Sequence, residues 1–208
     1  MIEHENRVYS QNGEDGIIQH IFDCIGTTDR LAVEFGVGDG QETNTRLLAQ
    51  QGWQCVWFDG YPADHVPTGV RFRRAWLTPV TLPLEFRQAN VPAEFDLLSI
   101  DVDGNDYHLR ESIADYRPRV IVQEYNGCYG PDEVYVMPRN DSYRWQLWEK
   151  NFGASLLSLT HQACDLGYDL VYCESRGVNA FFVRSDINPF AVLTVSQAWR
   201  PLWWASQV

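Results

Sequence analysis

One short stretch, residues 31–40, constrains the fold of this chain more than any other. Its first half, Leu31-Ala-Val-Glu-Phe35, is apolar enough for a buried strand, and its second half has glycine at Gly36, Gly38 and Gly40. Because glycine has no Cβ, the backbone there can turn sharply and lie close to a ligand. A strand, a glycine turn and a following helix form the unit with which many α/β proteins bind nucleotides. The alternative interpretation is a tight turn with a structural role only.

The bulk properties exclude several classes of protein. At 208 residues the chain is long enough for one α/β domain, and we expect a single domain over 1–208. A net charge of −12 argues against nucleic acid as a partner, since phosphate binding requires a basic surface. No apolar run is long enough to span a membrane and the first residues do not form a signal peptide, so we expect a cytoplasmic protein without a membrane partner. The five cysteines form no Cys-x-x-Cys pair, which argues against zinc ribbons and disulfide frameworks.

The pattern of apolar residues predicts alternating strands and helices. Strands are predicted over 31–35, 55–58, 70–76, 94–101 and 119–124, followed by a hairpin over 168–174 and 179–184. Helices are predicted over 14–24, near 42–51, around 107–113 and over 154–164, and residues 1–26 form an N-terminal helical segment. Three prolines indicate a loop-rich region between the third and fourth strands. The segment 127–150 is too long for a simple connection and is predicted to form a loop that covers the site like a lid. This order predicts a doubly wound, mostly parallel sheet with a C-terminal antiparallel hairpin.

Four motifs resemble those of class I S-adenosylmethionine (SAM) methyltransferases, and of the FkbM-type group in particular. They are Ser10-Gln-Asn-Gly-Glu-Asp15, Val33-Glu-Phe-Gly-Val-Gly-Asp-Gly40, Ser99-Ile-Asp-Val-Asp-Gly104 and Val120-Ile-Val-Gln-Glu124. The resemblance covers nearly the whole chain and implies a Rossmann-like fold, SAM as cofactor and a small-molecule substrate methylated at oxygen. FkbM-type proteins commonly have a glutamate where this chain has Asp103.

The resemblance also implies roles for single residues. Glu34, Gly36 and Gly38 would line the methionine part of SAM, and Asp101 would face its amino-acid end. Gln11 and Glu14 would cover the pocket, although a solvated helix start is the alternative. Asp59 would accept the ribose hydroxyls, and its position about twenty residues after Gly40 suits that role in a nucleotide-binding fold. A structural turn aspartate is the alternative for Asp59.

Acidic residues cluster at the predicted ends of the fourth and fifth strands. Asp101, Asp103, Asp106 and Glu124 should lie close together there, which raises their pKa values unless a cation intervenes. Asp101, Glu124 and Asn126 are the predicted ligands of a divalent cation such as Mg²⁺, Mn²⁺ or Ca²⁺, and Asp103 is an alternative to Asp101, since residues two apart share a strand face. The pattern resembles that of cation-dependent catechol-type methyltransferases. The alternatives are neutralisation by arginines such as Arg110 or Arg144, and a helix-capping role for Asp106.

Three functions remain open on the sequence. In a methyltransferase, Asp103, His108 or Glu124 would remove the acceptor proton. The second is a metal-dependent enzyme that uses the carboxylate cluster Asp101, Asp103 and Glu124 for other chemistry. The third is a non-catalytic binding protein. The tail with Trp199, Trp203 and Trp204 either packs on the domain or forms a homodimer contact.

Overall fold

A seven-stranded sheet forms the centre of the protein in the computed structural model, which describes residues 1–146 and 148–203. Its strands are β1 Leu31–Phe35, β2 Gln54–Asp59, β3 Val70–Arg74, β4 Glu94–Ile100, β5 Arg117–Glu124, β6 Tyr168–Cys173 and β7 Asn179–Arg184. The order across the sheet is β3-β2-β1-β4-β5-β7-β6. The first five are parallel, and β7 runs antiparallel to both β5 and β6. The predicted doubly wound sheet with its C-terminal hairpin is therefore confirmed.

Helices cover both faces of this sheet. They are α1 Glu14–Ile25, α2 Arg46–Gln50, α3 Leu82–Gln88, α4 Asp106–Ser112, α5 Leu156–Asp165 and α6 Val195–Ala198. Successive residues of a strand point to opposite faces. Val33 and Phe35 of β1 accordingly pack in a core with α3, α4 and α5, and Ala32 packs in a second core with α1 and α2. Every residue of β1 is buried for this reason.

Two predictions of local structure were wrong. The loop-rich region before β4 contains α3, because Pro83 stands in the first turn of the helix, where a missing N–H costs nothing. The helix predicted near 42–51 begins only at Arg46. The residues before it are held in a loop by Glu34, whose carboxylate accepts the backbone N–H groups of Asn44 and Thr45.

The segment 127–150 is irregular over its described residues, as the sequence predicts. It includes one end of an isolated antiparallel bridge, between Val136 and Ala154. The tail packs against this segment, since Trp199 Nε1 donates a hydrogen bond to the carbonyl oxygen of Tyr129 at 2.8 Å. Trp204, named with the tail, lies outside the described residues.

The chain changes winding direction between β1 and β4, the neighbouring strands at the centre of the sheet. In open α/β sheets the crevice outside the carboxyl ends of such a strand pair is where ligands bind. None of the helices in the described part of the chain is long and apolar enough to cross a membrane.

Candidate functional site

The glycine turn after β1 packs directly against the end of β4. Gly36 has a φ of +81°, and a Cβ built on it would lie 1.3 Å from the carbonyl oxygen of Asp101. The N–H of Gly36 donates to the carbonyl oxygen of Phe58 at 3.1 Å. The ends of β1, β2 and β4 therefore meet at this turn, and only glycine fits there.

A cavity of about 220 Å³ opens on the β2 side of the turn. Asp59 lines it, and its carboxylate accepts the N–H groups of Gly38 at 2.9 Å and Tyr61 at 2.8 Å. The walls are mostly apolar or aromatic and include Phe58, Tyr61, Trp76, Leu77 and Val102. We call this space the aromatic cavity. It combines flat ring surfaces with the carboxylate of Asp59, which keeps further lone pairs for hydroxyl donors, and Asp101 and Asp103 complete its acidic lining.

Part of the segment 127–150 covers the aromatic cavity. Tyr143, Arg144 and Trp145 belong to its lining. The guanidinium carbon of Arg144 lies 3.4 Å from the centroid of the Trp76 ring, and Arg144 Nε donates to the hydroxyl of Tyr61 at 3.0 Å. Trp76 Nε1 donates in turn to the carbonyl oxygen of Asp141 at 2.8 Å. This position over the cavity is the one that the sequence predicts for a lid.

A second cavity, of about 120 Å³, lies on the other side of the turn. It shares Gly36 and Asp101 with the aromatic cavity, so the two spaces meet at these residues. Its remaining lining is polar and consists of Gln11, Glu34, Glu42, Thr43, Asn44 and Asn179. We call it the acidic cavity, because three carboxyl groups, those of Glu34, Glu42 and Asp101, belong to its lining.

Glu34 is buried at the end of β1 and is oriented by several hydrogen bonds. Its carboxylate accepts the N–H of Asn44 at 2.7 Å, the N–H of Thr45 at 3.0 Å and the hydroxyl of Thr45. Trp57 Nε1 donates to the same hydroxyl at 2.7 Å. Burial raises the pKa of Glu34 to about 7, against the opposing effect of these bonds. Glu34 thus anchors the turn and also borders the acidic cavity.

The N-terminal segment contributes to the acidic cavity through Gln11. Glu14 lies behind the lining: its carboxylate accepts the N–H of Asn12 at 2.7 Å and the side-chain amide of Asn179 at 2.9 Å. Glu14 is fully buried, so the solvated helix start considered for it is wrong. It acts on the cavity by orienting Asn179.

Three carboxylates meet where β4 and β5 end. Asp101, Asp103 and Glu124 each place an oxygen within 4.8 Å of the others. Burial, and then the neighbouring carboxylates, raise the pKa values of Asp101 and Glu124 well above their usual range. Oε2 of Glu124 is buried without a hydrogen-bond partner among the described residues. Asp103 has a φ of +61°, a left-handed conformation that side chains other than those of Asn and Asp rarely adopt. This site therefore favours protons or a cation.

Asp106, by contrast, has a structural role. Its carboxylate accepts the N–H groups of Val102 at 2.8 Å and Gly104 at 2.9 Å, which fixes the loop before α4. Burial raises its pKa to about 6. Arg110 and Arg144, considered as neutralising cations, make other contacts: Arg144 stacks on Trp76, and Arg110 lies over the rings of Tyr168 and Phe182.

Two further predicted site residues lie outside the carboxylate cluster. The side-chain amide of Asn126 donates to the carbonyl oxygens of Lys150 at 2.7 Å and Phe152 at 2.8 Å, and its oxygen accepts the N–H of Cys128 at 3.0 Å. His108 Nε2 lies 2.9 Å from the carbonyl oxygen of Met137, and His108 lines neither cavity. Both side chains hold loop backbone in place.

Sequence reasoning missed Asn179 and Trp76. Asn179 begins β7 and pairs with Glu124 across the sheet, so antiparallel pairing of the hairpin with β5 would have placed it near the cluster. Trp76 follows β3 within an alternating segment, and nothing in the local pattern distinguishes it from a core residue.

No protein-family model matches the chain, and no curated protein does so either. Among solved structures, MycE methyltransferase from the mycinamycin biosynthetic pathway, in complex with Mg and SAH, has a TM-score of 0.50 at 14% identity, over 86% of this chain and 50% of that chain. The same enzyme with Mg, SAH and mycinamycin VI has a TM-score of 0.50 at 14% identity, over 85% of this chain and 51% of that chain. Magnesium protoporphyrin IX methyltransferase from Synechocystis PCC 6803 with bound SAH has a TM-score of 0.49 at 11% identity, over 83% of this chain and 82% of that chain.

This chain spans about half the length of the MycE chain. At 14% identity the likeness concerns the fold, and the strand order agrees with it. The chain has the Rossmann-like fold found in SAM-dependent methyltransferases.

Proposed function

We propose that this protein is a SAM-dependent methyltransferase that acts on a small molecule. The observation that carries the proposal is the pair of cavities that meet at Gly36 and Asp101, beside the carboxyl ends of β1 and β4. One has largely aromatic and apolar walls around the carboxylate of Asp59, which suits a nucleoside, and the other has a polar lining with Glu34, Glu42 and Asp101, which suits an amino acid bearing an ammonium group. The resemblance of four motifs to those of FkbM-type proteins and the SAH in the MycE structures support the same assignment.

The lining residues divide naturally between the two halves of SAM. Asp59 would accept the ribose hydroxyls, and the rings of Tyr61 and Trp76 provide apolar surface for adenine. Glu34 and Asp101 would attract the ammonium and sulfonium charges. The carboxylate end of the ligand needs donors, and the side-chain amide of Gln11 is available in the acidic cavity, while Asn179 keeps one N–H besides the one that it donates to Glu14.

The carboxylate cluster contains the groups that would remove the proton from the acceptor. When bound, SAM would supply an electrophilic methyl group, and SAH would be the leaving product. Asp103 borders the aromatic cavity and is exposed, so an acceptor can reach it, and Glu124 lies beside it. A raised pKa makes a carboxylate a better base near neutral pH. His108 is held by the backbone at Met137, which leaves Asp103 and Glu124 as the candidate bases.

Calorimetry with SAM and SAH tests the proposal. Wild-type protein should bind both, and Asp59→Ala should weaken binding by about 1–3 kcal/mol, the cost of losing a hydrogen-bond partner for the ribose. Asp64→Ala is the matched control, since Asp64 is exposed and lines neither cavity. Absence of binding to folded wild-type protein, or equal losses in the two variants, would contradict the assignment.

A metal-dependent reaction on the same fold is the second candidate. The three carboxylate oxygens within 4.8 Å and the unpartnered Oε2 of Glu124 favour it. Asp101, Asp103 and Glu124 would hold a hard cation such as Mg²⁺, Mn²⁺ or Ca²⁺ through oxygen, whereas the side chain of Asn126 is already engaged by backbone. The MycE structures contain Mg.

Titration with Mn²⁺, followed by electron paramagnetic resonance, separates the two candidates. A metal site predicts stoichiometric binding that Asp103→Asn weakens and Asp64→Asn leaves unchanged. Catalysis that is insensitive to EDTA, together with no bound Mn²⁺ at millimolar concentration, would exclude it. SAM binding without turnover on any acceptor would instead favour a binding protein.

A further inference from the structure

Arg110 is a buried cation without an anionic partner among the described residues. It lies on α4 and is 2% exposed. Its guanidinium carbon is 5.4 Å from the ring centroid of Tyr168 and 5.2 Å from that of Phe182. Nη1 donates to Oε1 of Gln123 at 3.1 Å, and Nε and Nη2 have no partner in the described part of the chain. Burial lowers the pKa of Arg110 to about 10, which shows how poorly its charge is compensated.

A second buried arginine shows how this fold normally compensates such a charge. Arg119 is 8% exposed, and its guanidinium donates to the carboxylate of Asp96 at 3.0 Å. It also donates to the carbonyl oxygens of Gly26 at 2.6 Å and Ile25 at 2.8 Å. Buried charges are usually paired in this way, so the two unpaired nitrogens of Arg110 require an explanation.

Arg110 lines a cavity of about 200 Å³ between α4, α5 and the sheet. The cavity is bordered by the first residues of β5 and β6, Arg117 and Tyr168, and by the last residue of α5, Asp165. It therefore lies at the edge of the sheet opposite to the aromatic and acidic cavities, which adjoin the carboxyl ends of the strands. It is a separate site.

The lining of this cavity indicates the chemistry of its occupant. Leu98, Ile113 and Ile121 provide apolar wall, while Arg110 contributes a planar guanidinium fork whose Nε and Nη2 have no partner among the described residues and almost no solvent-accessible surface. Such a fork matches the two oxygens of a carboxylate. Arg117, which is exposed, adds a second positive charge to the lining, whereas the exposed Asp165 disfavours a multiply charged anion such as phosphate.

We propose that this cavity binds a small carboxylate with an apolar body. A shift of the Arg110 side chain opens Nε and Nη2, which are closed to solvent in this structure, and both then donate hydrogen bonds to the carboxylate. The hydrocarbon part packs on Leu98, Ile113 and Ile121. The ligand thus supplies the anionic partner that Asp96 supplies to Arg119.

Thermal unfolding with benzoate and hexanoate tests this proposal, with benzyl alcohol and hexanol as uncharged counterparts. A ligand that binds the native state alone raises the melting temperature in proportion to the logarithm of its concentration. We expect the two acids to raise it and the two alcohols and inorganic phosphate to leave it unchanged. The proposal would be overturned if acids and alcohols raised the melting temperature equally, or if phosphate raised it more than the acids did. It would also be overturned if the acids had no effect at millimolar concentration, in which case the cavity holds only water.

Variants locate the binding. Arg110→Met should abolish the response, and Arg117→Gln should weaken binding roughly fivefold, the effect of one exposed charge. Arg87→Gln, an exposed arginine on α3 outside the cavity, is the matched control and should respond like wild type. If both Arg110→Met and Arg117→Gln respond to the acids like wild type, the acids bind at another site and the proposal is wrong.

A measurement on the wild-type protein covers the case in which Arg110→Met does not fold. The Nε–H proton of Arg110 gives its own signal in a nitrogen-correlated NMR spectrum, and benzoate should shift it strongly while leaving that of Arg119 in place. An unmoved Arg110 signal at saturating benzoate would overturn the proposal.

Discussion

Replacing Gly36 by alanine is expected to destabilise the fold far more than the same change at Gly38. Both residues have positive φ angles, +81° and +55°, so an alanine at either position is strained by roughly 1–2 kcal/mol. A Cβ on Gly38 would meet nothing within 4 Å. A Cβ on Gly36 would lie 1.3 Å from the carbonyl oxygen and 2.5 Å from the carbonyl carbon of Asp101, and backbone cannot rotate away as a side chain can. Overpacking of this kind adds about 1–3 kcal/mol.

Denaturant unfolding of the three proteins measures this difference. We expect Gly38→Ala to lose about 1–2 kcal/mol of unfolding free energy and Gly36→Ala about 2–5 kcal/mol, with unchanged slopes. Gly36→Ala should also lose SAH binding, because the shift of Asp101 disturbs both cavities. Equal losses of stability in the two variants would refute the argument that close backbone approach, rather than backbone conformation alone, requires glycine at Gly36.

Three further predictions concern charge and the covering segment. Burial raises the pKa values of Glu34 and Glu174 to about 7, so the native state holds protons that the unfolded chain releases. The unfolding free energy should therefore fall between about pH 5 and pH 8 by on the order of 3 kcal/mol for each residue. Denaturant unfolding at both pH values checks this, and Glu34→Gln should flatten the profile. SAM binding should release protons from the groups around Asp101, whose pKa burial raises, so the affinity for SAM should increase as pH rises. Calorimetry in buffers of different ionisation enthalpy measures the number of protons released. Trp76→Ala removes the ring under Arg144 and should speed amide exchange in 139–146.

The sheet was predictable because its signals are local. Buried strands such as β1 and β4 are short apolar runs bounded by turns, and the glycine turn after β1 is recognisable from composition alone. The helix α3 was not predictable by the same reasoning, since proline is read as a helix breaker unless its place in the first turn is known. The late start of α2 depends on hydrogen bonds to Glu34, which exist only in the folded chain.

The site was predictable only in part, for a related reason. Asp59, Glu34 and Asp101 stand at strand ends and line the two cavities, at the edge where open α/β sheets commonly bind ligands. Asn126 also follows a strand end, but its side chain is used by the backbone of residues 150 and 152, a contact made across more than twenty positions of sequence. Which polar group faces a cavity and which one holds a loop is decided by such long-range contacts.

A structure determined with SAH tests the central claim most directly. We expect adenine in the aromatic cavity beside Tyr61 and Trp76, the ribose hydroxyls on Asp59, and the amino-acid end in the acidic cavity beside Glu34 and Asp101. Arg144 should remain over the occupied cavity or move with the segment 127–150. SAH bound away from Gly36, or with its amino-acid end in the aromatic cavity, would contradict the account.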